Sequence, residues 1–178
     1  MRPRKTSTVF VVIVLFAAMT GLPAFDGWGM GSRVPAVGMQ AEDFSLIDLE
    51  GKSQSLSHYR GKIVLMNFWA TWCKSCTTEM PAMQVSFDKL RDKGFVVLAI
   101  NELEDNATVR EHIKQHGYTY PVLMDRDNKV ANQFGVFGLP VSVFVDEKGL
   151  VQGYIKGGLL TEQKIQEVVD RLQSTGHG

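Results

Sequence analysis

Hydrophobic and polar positions along this chain follow two periods. Residues 63–69 and 95–100 are near-continuous apolar runs of strand length, the pattern of strands covered on both faces. Residues 44–47 read as a shorter strand before a Gly51-Lys52 turn, and residues 141–145 and 150–155 flank Asp146-Glu147-Lys148-Gly149 as the two arms of a hairpin. Met80, Met83, Phe87 and Leu90 recur at helical spacing, which predicts a helix over 77–93 stopped by Gly94. A second helix is predicted over 107–116, ending before Gly117, and an amphipathic helix capped by Thr161 closes the chain over 161–172. Strands alternating with helices, then a hairpin and a helix, predict an α/β fold: a central mixed β-sheet flanked by helices on both faces. There is no internal repeat.

The N-terminus departs from this pattern. Met1-Arg2-Pro3-Arg4-Lys5 is basic, residues 9–19 are apolar and uncharged, and Leu22, Pro23, Ala24 and Phe25 extend the run past Thr20-Gly21. A basic start followed by an apolar stretch is an export arrangement. By the positive-inside rule it sends the rest of the chain to the periplasmic side of an inner membrane. We therefore expect residues 1–25 to be a single-span signal-anchor, or a signal peptide if the chain is cut near Ala24, since the run is close to the roughly 20 residues needed to span a bilayer. With no cysteine near the apolar run, lipoprotein attachment is excluded. Residues 26–37, rich in glycine and containing Pro35, read as a linker, 38–174 as one domain and 175–178 as a tail.

Charge narrows the partners. The 19 Lys and Arg balance the 19 Asp and Glu, and Arg2, Arg4 and Lys5 lie in the export segment, so the remainder is slightly acidic. Nucleic-acid binders carry a basic excess, so none is expected as partner.

The chemistry lies in Trp72-Cys73-Lys74-Ser75-Cys76, which holds both cysteines of the chain. With no third thiol, the pair can close as a disulfide or stay a dithiol, which makes it a redox switch. Cys73 falls at the start of a helix, where unpaired N–H groups and the helix dipole favour a thiolate, so it is the expected nucleophile. Cys76, one turn on, is the expected resolving thiol. Lys74 adds a modest positive charge. The competing reading is a structural zinc site, which needs four ligands; His112 and His116 at i, i+4 could complete one, but they stand far from finger spacing and read better as a solvated helix face. Trp69 is expected in the core with Met80 and Met83, and Trp72 on the surface.

The block from Gly61 to Cys76, with Glu79 and Pro81 beyond it, resembles the TlpA-like and ResA-like thiol-disulfide oxidoreductases of the thioredoxin superfamily. The resemblance covers 37–172 and includes Asp43-Phe44-Ser45-Leu46 and Gly138-Leu139-Pro140. It implies a thioredoxin-like fold with a cis bond before Pro140, a partner segment lying against Trp72, Leu139 and Pro140, and a helix bent at Pro81. Asn67 stands where thioredoxin has a buried acid, so that proton shuttle is missing here. Glu104 aligns with an acid that family members hold near the cysteines, where it would accept the proton of Cys76, with Glu102 as its competitor. Ser75 replaces a frequent proline, which leaves the reducing strength open.

The function so implied is reduction of protein disulfides by dithiol-disulfide exchange on the periplasmic side of the membrane, in cytochrome c maturation. The partners would be an apocytochrome c or similar disulfide-containing protein and a membrane thiol donor, with the chain a monomer and the Cys73–Cys76 disulfide its redox group in place of any cofactor. Copper-site cysteines and other periplasmic thiols are alternative substrates. A thiol peroxidase would need a Pro-x-x-x-Thr-x-x-Cys setting, whereas Met66 precedes Cys73 by seven residues and Thr71 by two. A non-catalytic partner-binding or metal-binding module would not need both cysteines intact.

Overall fold

The computed structural model describes residues 34–175, so the export segment and most of the linker lie outside the described residues. Seven strands form one mixed sheet: β1 (Ser45–Asp48), β2 (Ser53–Ser55), β3 (Ile63–Trp69), β4 (Phe95–Glu102), β5 (Val122–Asp125), β6 (Val141–Val145) and β7 (Val151–Lys156). Their order is β2-β1-β5-β4-β3-β6-β7. β3, β4 and β5 run parallel, and the outer strands pair antiparallel. The helices are α1 (Lys74–Leu90), α2 (Asn106–His116), α3 (Lys129–Gln133) and α4 (Glu162–Thr175).

Connection handedness distributes the helices. Two successive right-handed crossovers, β3 to β4 and β4 to β5, move the same way across the sheet, so α1 and α2 cover one face. The core on that face joins Leu65, Trp69, Val97 and Ala99 to Met80 and Met83 of α1, Val109 of α2 and Ile165 of α4. The chain then returns from β5 to β6 through α3, whose Val130 and Ala131 close the other face against Met66, Phe68, Leu98 and Ile100. Alternation along β3 and β4 therefore feeds two cores, which is why both read as unbroken apolar runs.

The three expected helices form, α2 with its expected end and α1 and α4 with shifted ones. Gly94 and Gly117 take the left-handed conformation that stops α2 and the turn after α1, and Asp105 caps α2 by accepting from the Ala107 and Thr108 amides. Thr161 accepts from the Lys164 amide at the start of α4, which runs to Thr175. α1 begins earlier than its apolar spacing indicates, at Lys74, because Cys73 serves as its N-cap. It continues through Pro81. The first strand is shifted by one residue because the Asp48 carboxylate accepts from the Glu50 and Lys52 amides and organises the turn into β2.

Candidate functional site

Register brings three chain segments to one edge of the sheet. Trp69, the last residue of β3, pairs with Asn101 of β4, and Phe68 pairs with Val141 of β6, so the cysteine loop, the β4–α2 loop and Pro140 all lie beyond the same strand ends. The Leu139–Pro140 peptide bond is cis, as the resemblance implies. Leu139 packs against the core cluster that includes both cysteines.

Cys73 and Cys76 are joined as a disulfide. As the N-cap of α1, Cys73 Sγ accepts from the Cys76 amide at 3.3 Å, and Ser75 Oγ lies 3.5 Å away. The two cysteines differ in access: Cys73 keeps 7% of its surface exposed and Cys76 none. Trp72 is 71% exposed beside them, whereas Trp69 is fully buried.

Glu104 fastens the cysteine loop to the neighbouring strand. Its carboxylate accepts from the Thr71 amide at 2.8 Å, the Thr71 hydroxyl at 2.5 Å and Asn101 Nδ2 at 2.7 Å. Glu102, the competitor, goes elsewhere: strand alternation turns it to the α3 face, where burial and the neighbouring Asp125 carboxylate raise its pKa to about 7. It is not brought together with the cysteines.

Residue patterning missed the role of Glu79. This acid stands three residues after Cys76 on the buried stripe of α1 and is almost inaccessible. It accepts from Asn67 Nδ2 at 2.7 Å and from the Leu160 amide at 3.2 Å, while Asn67 also donates to Ser142 Oγ at 3.0 Å. Burial raises its pKa above the carboxylate range, against the lowering effect of the Asn67 and Leu160 hydrogen bonds. A buried acid thus stands on α1 in hydrogen-bond contact with Asn67 of β3. The available signals were a polar Asn67 inside an apolar strand and an acid among buried helical positions.

His112 departs from expectation, whereas His116 is exposed as expected. The His112 ring lies 5.4 Å from Trp69 and 4.3 Å from His116, so it packs half-buried on the core rather than on a solvated face. Burial, then the neighbouring His116, holds His112 below its ordinary pKa, against the pull of Glu104. Both cysteine sulfurs are bonded to each other, and among the described residues no group of three or more His, Cys, Asp or Glu is arranged to hold a metal ion.

Comparison with known proteins joins this geometry to a family. Residues 37–154 match the AhpC/TSA family model. Thiol-disulfide oxidoreductase ResA of Geobacillus thermodenitrificans is 35% identical over 163 residues, covering 92% of this chain and 93% of its own. The chain belongs to the AhpC/TSA family, among the ResA-type thiol-disulfide oxidoreductases. ResA of Bacillus cereus is 32% identical over 171 residues, covering 95% of this chain and 98% of its own. Among solved structures, a thioredoxin-family thiol:disulfide interchange protein from Chlorobium tepidum superposes with a TM-score of 0.69 at 29% identity, over 77% of this chain and 97% of that one. The mixed sheet with its helices is therefore a thioredoxin-like fold, and the ResA-type activity resides in its Cys-x-x-Cys pair.

Proposed function

We propose that this ResA-type protein reduces disulfides of proteins outside the cytoplasm, with Cys73 as the attacking sulfur and Cys76 as the resolving one. The observation that carries the reading is the asymmetry of the pair: Cys73 is the N-cap and the residue that keeps some exposure, whereas Cys76 is fully buried. In the reduced enzyme the Cys73 thiolate attacks one sulfur of the partner's disulfide, and the partner's other sulfur leaves as a thiolate and takes up a proton. Cys76 then gives up its proton and attacks Cys73. That step expels the partner's second thiolate, which is protonated in turn, and closes the Cys73–Cys76 bond. Two electrons have passed to the partner, and a membrane dithiol donor restores the enzyme by the same exchange in reverse.

Two acids divide the supporting work in this reading. Glu79, one helical turn from Cys76 and poised above the usual carboxylate range by burial, takes the proton of Cys76. Glu104 is a positioning residue, because its oxygens are already occupied by Thr71 and Asn101. Trp72, Leu139 and Pro140 border the position of the incoming chain.

The substrate reading, an apocytochrome c Cys-x-x-Cys-His before haem attachment, rests on the sequence resemblance; copper-site cysteines would use the same chemistry. The membrane tether rests on residues 1–25, and among the described residues no helix is long and apolar enough to cross a membrane.

Trapping tests the order of attack. Cys76→Ala in the producing cell should accumulate mixed disulfides through Cys73, seen on non-reducing gels and identified by mass spectrometry, while Cys73→Ala should trap none. Equal trapping by both variants would reverse or dissolve the assignment. Equilibration with glutathione tests direction: a potential near that of the oxidant DsbA, about −120 mV, is incompatible with a reductant.

A further inference from the structure

Leu103 adopts a backbone conformation that its side chain opposes. Two described non-glycine residues have positive φ, Asn128 at 58° and Leu103 at 60°. Asparagine tolerates that region; for a leucine the Cβ crowds the following carbonyl. The turn itself has an explanation. It lets the two acids that flank it diverge, Glu102 toward Asp125 and Glu104 toward Thr71, and it is held by the Leu103 amide donating to the Asp125 carbonyl at 3.2 Å. The leucine does not, because glycine or asparagine would make the same turn with less strain. Nor does burial compensate, since the side chain is 63% exposed.

Its position supplies the reason. Glu104 is hydrogen-bonded to Thr71, and each of these residues has a large exposed apolar neighbour in sequence: Leu103 on one strand end, Trp72 on the other. Trp72 in turn adjoins Cys73. We propose that Leu103 and Trp72 form an apolar clamp that holds a residue flanking the reactive cysteine of an extended polypeptide, so that the enzyme selects disulfides with aliphatic or aromatic neighbours. The proposal rests on the reading that Cys73 attacks a partner disulfide. Any such partner must bring a sulfur to Cys73, and successive residues of an extended chain are about 3.3 Å apart. A side chain one or two positions from that sulfur therefore comes within reach of Trp72 and of the residue across the Thr71–Glu104 bond.

The test uses the full chain and two oxidised peptides of equal charge, each closed by a Cys-x-x-Cys disulfide, one flanked by Leu and Phe and the other by Ser and Gly. Steady-state reduction with dithiothreitol as electron source gives kcat/KM for each. Wild type should prefer the apolar-flanked peptide about tenfold, the discrimination available from partly burying one leucine-sized side chain. Leu103→Gly and Leu103→Asn should bring the ratio close to one, through KM, with a melting temperature at or above that of wild type, because both residues accept positive φ. A purely structural role would slow both peptides equally or lower the melting temperature, and either result overturns the clamp. So does an unchanged ratio in both variants, or a monomer–dimer equilibrium that shifts while the ratio does not, which would assign the patch to a second copy of this chain. Wild type reducing both peptides without preference defeats the clamp alone; wild type reducing neither defeats the reductase reading beneath it.

Discussion

Glu79 shares its helix face with Cys76, Met80, Met83 and Leu90, and its carboxyl group is met by Asn67 from β3 and by the Leu160 amide from the β7–α4 connection. A carboxyl so enclosed keeps its proton above the pH at which an exposed glutamate loses it. As the acceptor for Cys76 it must be ionised, so the rate of mixed-disulfide resolution should rise with pH through its raised pKa. Glu79→Gln, which keeps shape and neutral hydrogen bonding, should lose that limb of the profile and slow resolution about 100-fold near neutral pH, the scale of a lost general base. Single-turnover release of a labelled partner across pH 5–9 measures it, and a profile identical to wild type would exclude Glu79 from the proton's route. The cysteine pair was legible because its spacing is local. Glu79 was legible only as a position in the motif, because the groups that give it meaning, Asn67 and Leu160, are 12 and 81 residues away in sequence.

At the level of elements, the same contrast separates what patterning reaches from what it misses. β3 and β4 announce themselves through long apolar runs, and α2 through its helical stretch before Gly117, while its cap Asp105 emerged only from the structure. β2 is Ser-Gln-Ser, an edge strand that exists through its pairing with β1. β5 is four residues following Pro121 and becomes a strand by filling the register between β1 and β4. α3 has five residues, too few to show a period, and its N-cap Asn128 makes no side-chain cap. Asp125, at the end of β5, does that work instead: its carboxylate accepts from the Val130 amide at 3.3 Å and the Ala131 amide at 2.7 Å. Asp125→Ala should therefore destabilise the protein by about 1–2 kcal/mol, the usual loss on removing a cap, and Asp125→Asn by less because one oxygen remains to accept. Urea unfolding at pH 6 distinguishes them; equal midpoints for Asp125→Ala and wild type would deny the capping role.

For the molecule as a whole, the pairing of Glu102 with Asp125 across β4 and β5 makes stability depend on pH in an unusual direction. Most carboxylates that gain partners on folding stabilise the native state as pH rises through the acid range. Glu102 does the reverse, since burial and then Asp125 raise its folded pKa from 4.5 to about 7. The folded state binds the proton more tightly, so this contribution is complete below about pH 4.5 and is lost as pH rises through 7. Its size is on the order of 2–3 kcal/mol. Glu102→Gln should flatten the stability curve between pH 5 and 8 and be more stable than wild type at pH 8, as read from urea midpoints at each pH. A variant that keeps the full wild-type slope would show that Glu102 is not its source. The fold class, with its mixed sheet and two helical faces, was readable from alternation and run length. Which carboxyl turned to which core was not, because that depends on the parity of β4 relative to a turn at Leu103.

The hydrogen bond from the Leu160 amide to Glu79 has a consequence for watching this enzyme at work. An amide proton shared with a carboxylate is deshielded more strongly than one shared with a carboxylic acid, because the charged acceptor polarises the N–H bond. A single backbone resonance, at the entrance to α4 and chemically silent in the exchange reaction, is thus wired to the charge behind the cysteines. Nuclear magnetic resonance can follow the ionisation of that hidden acid in the oxidised and reduced protein without a label, a mutation or a substrate.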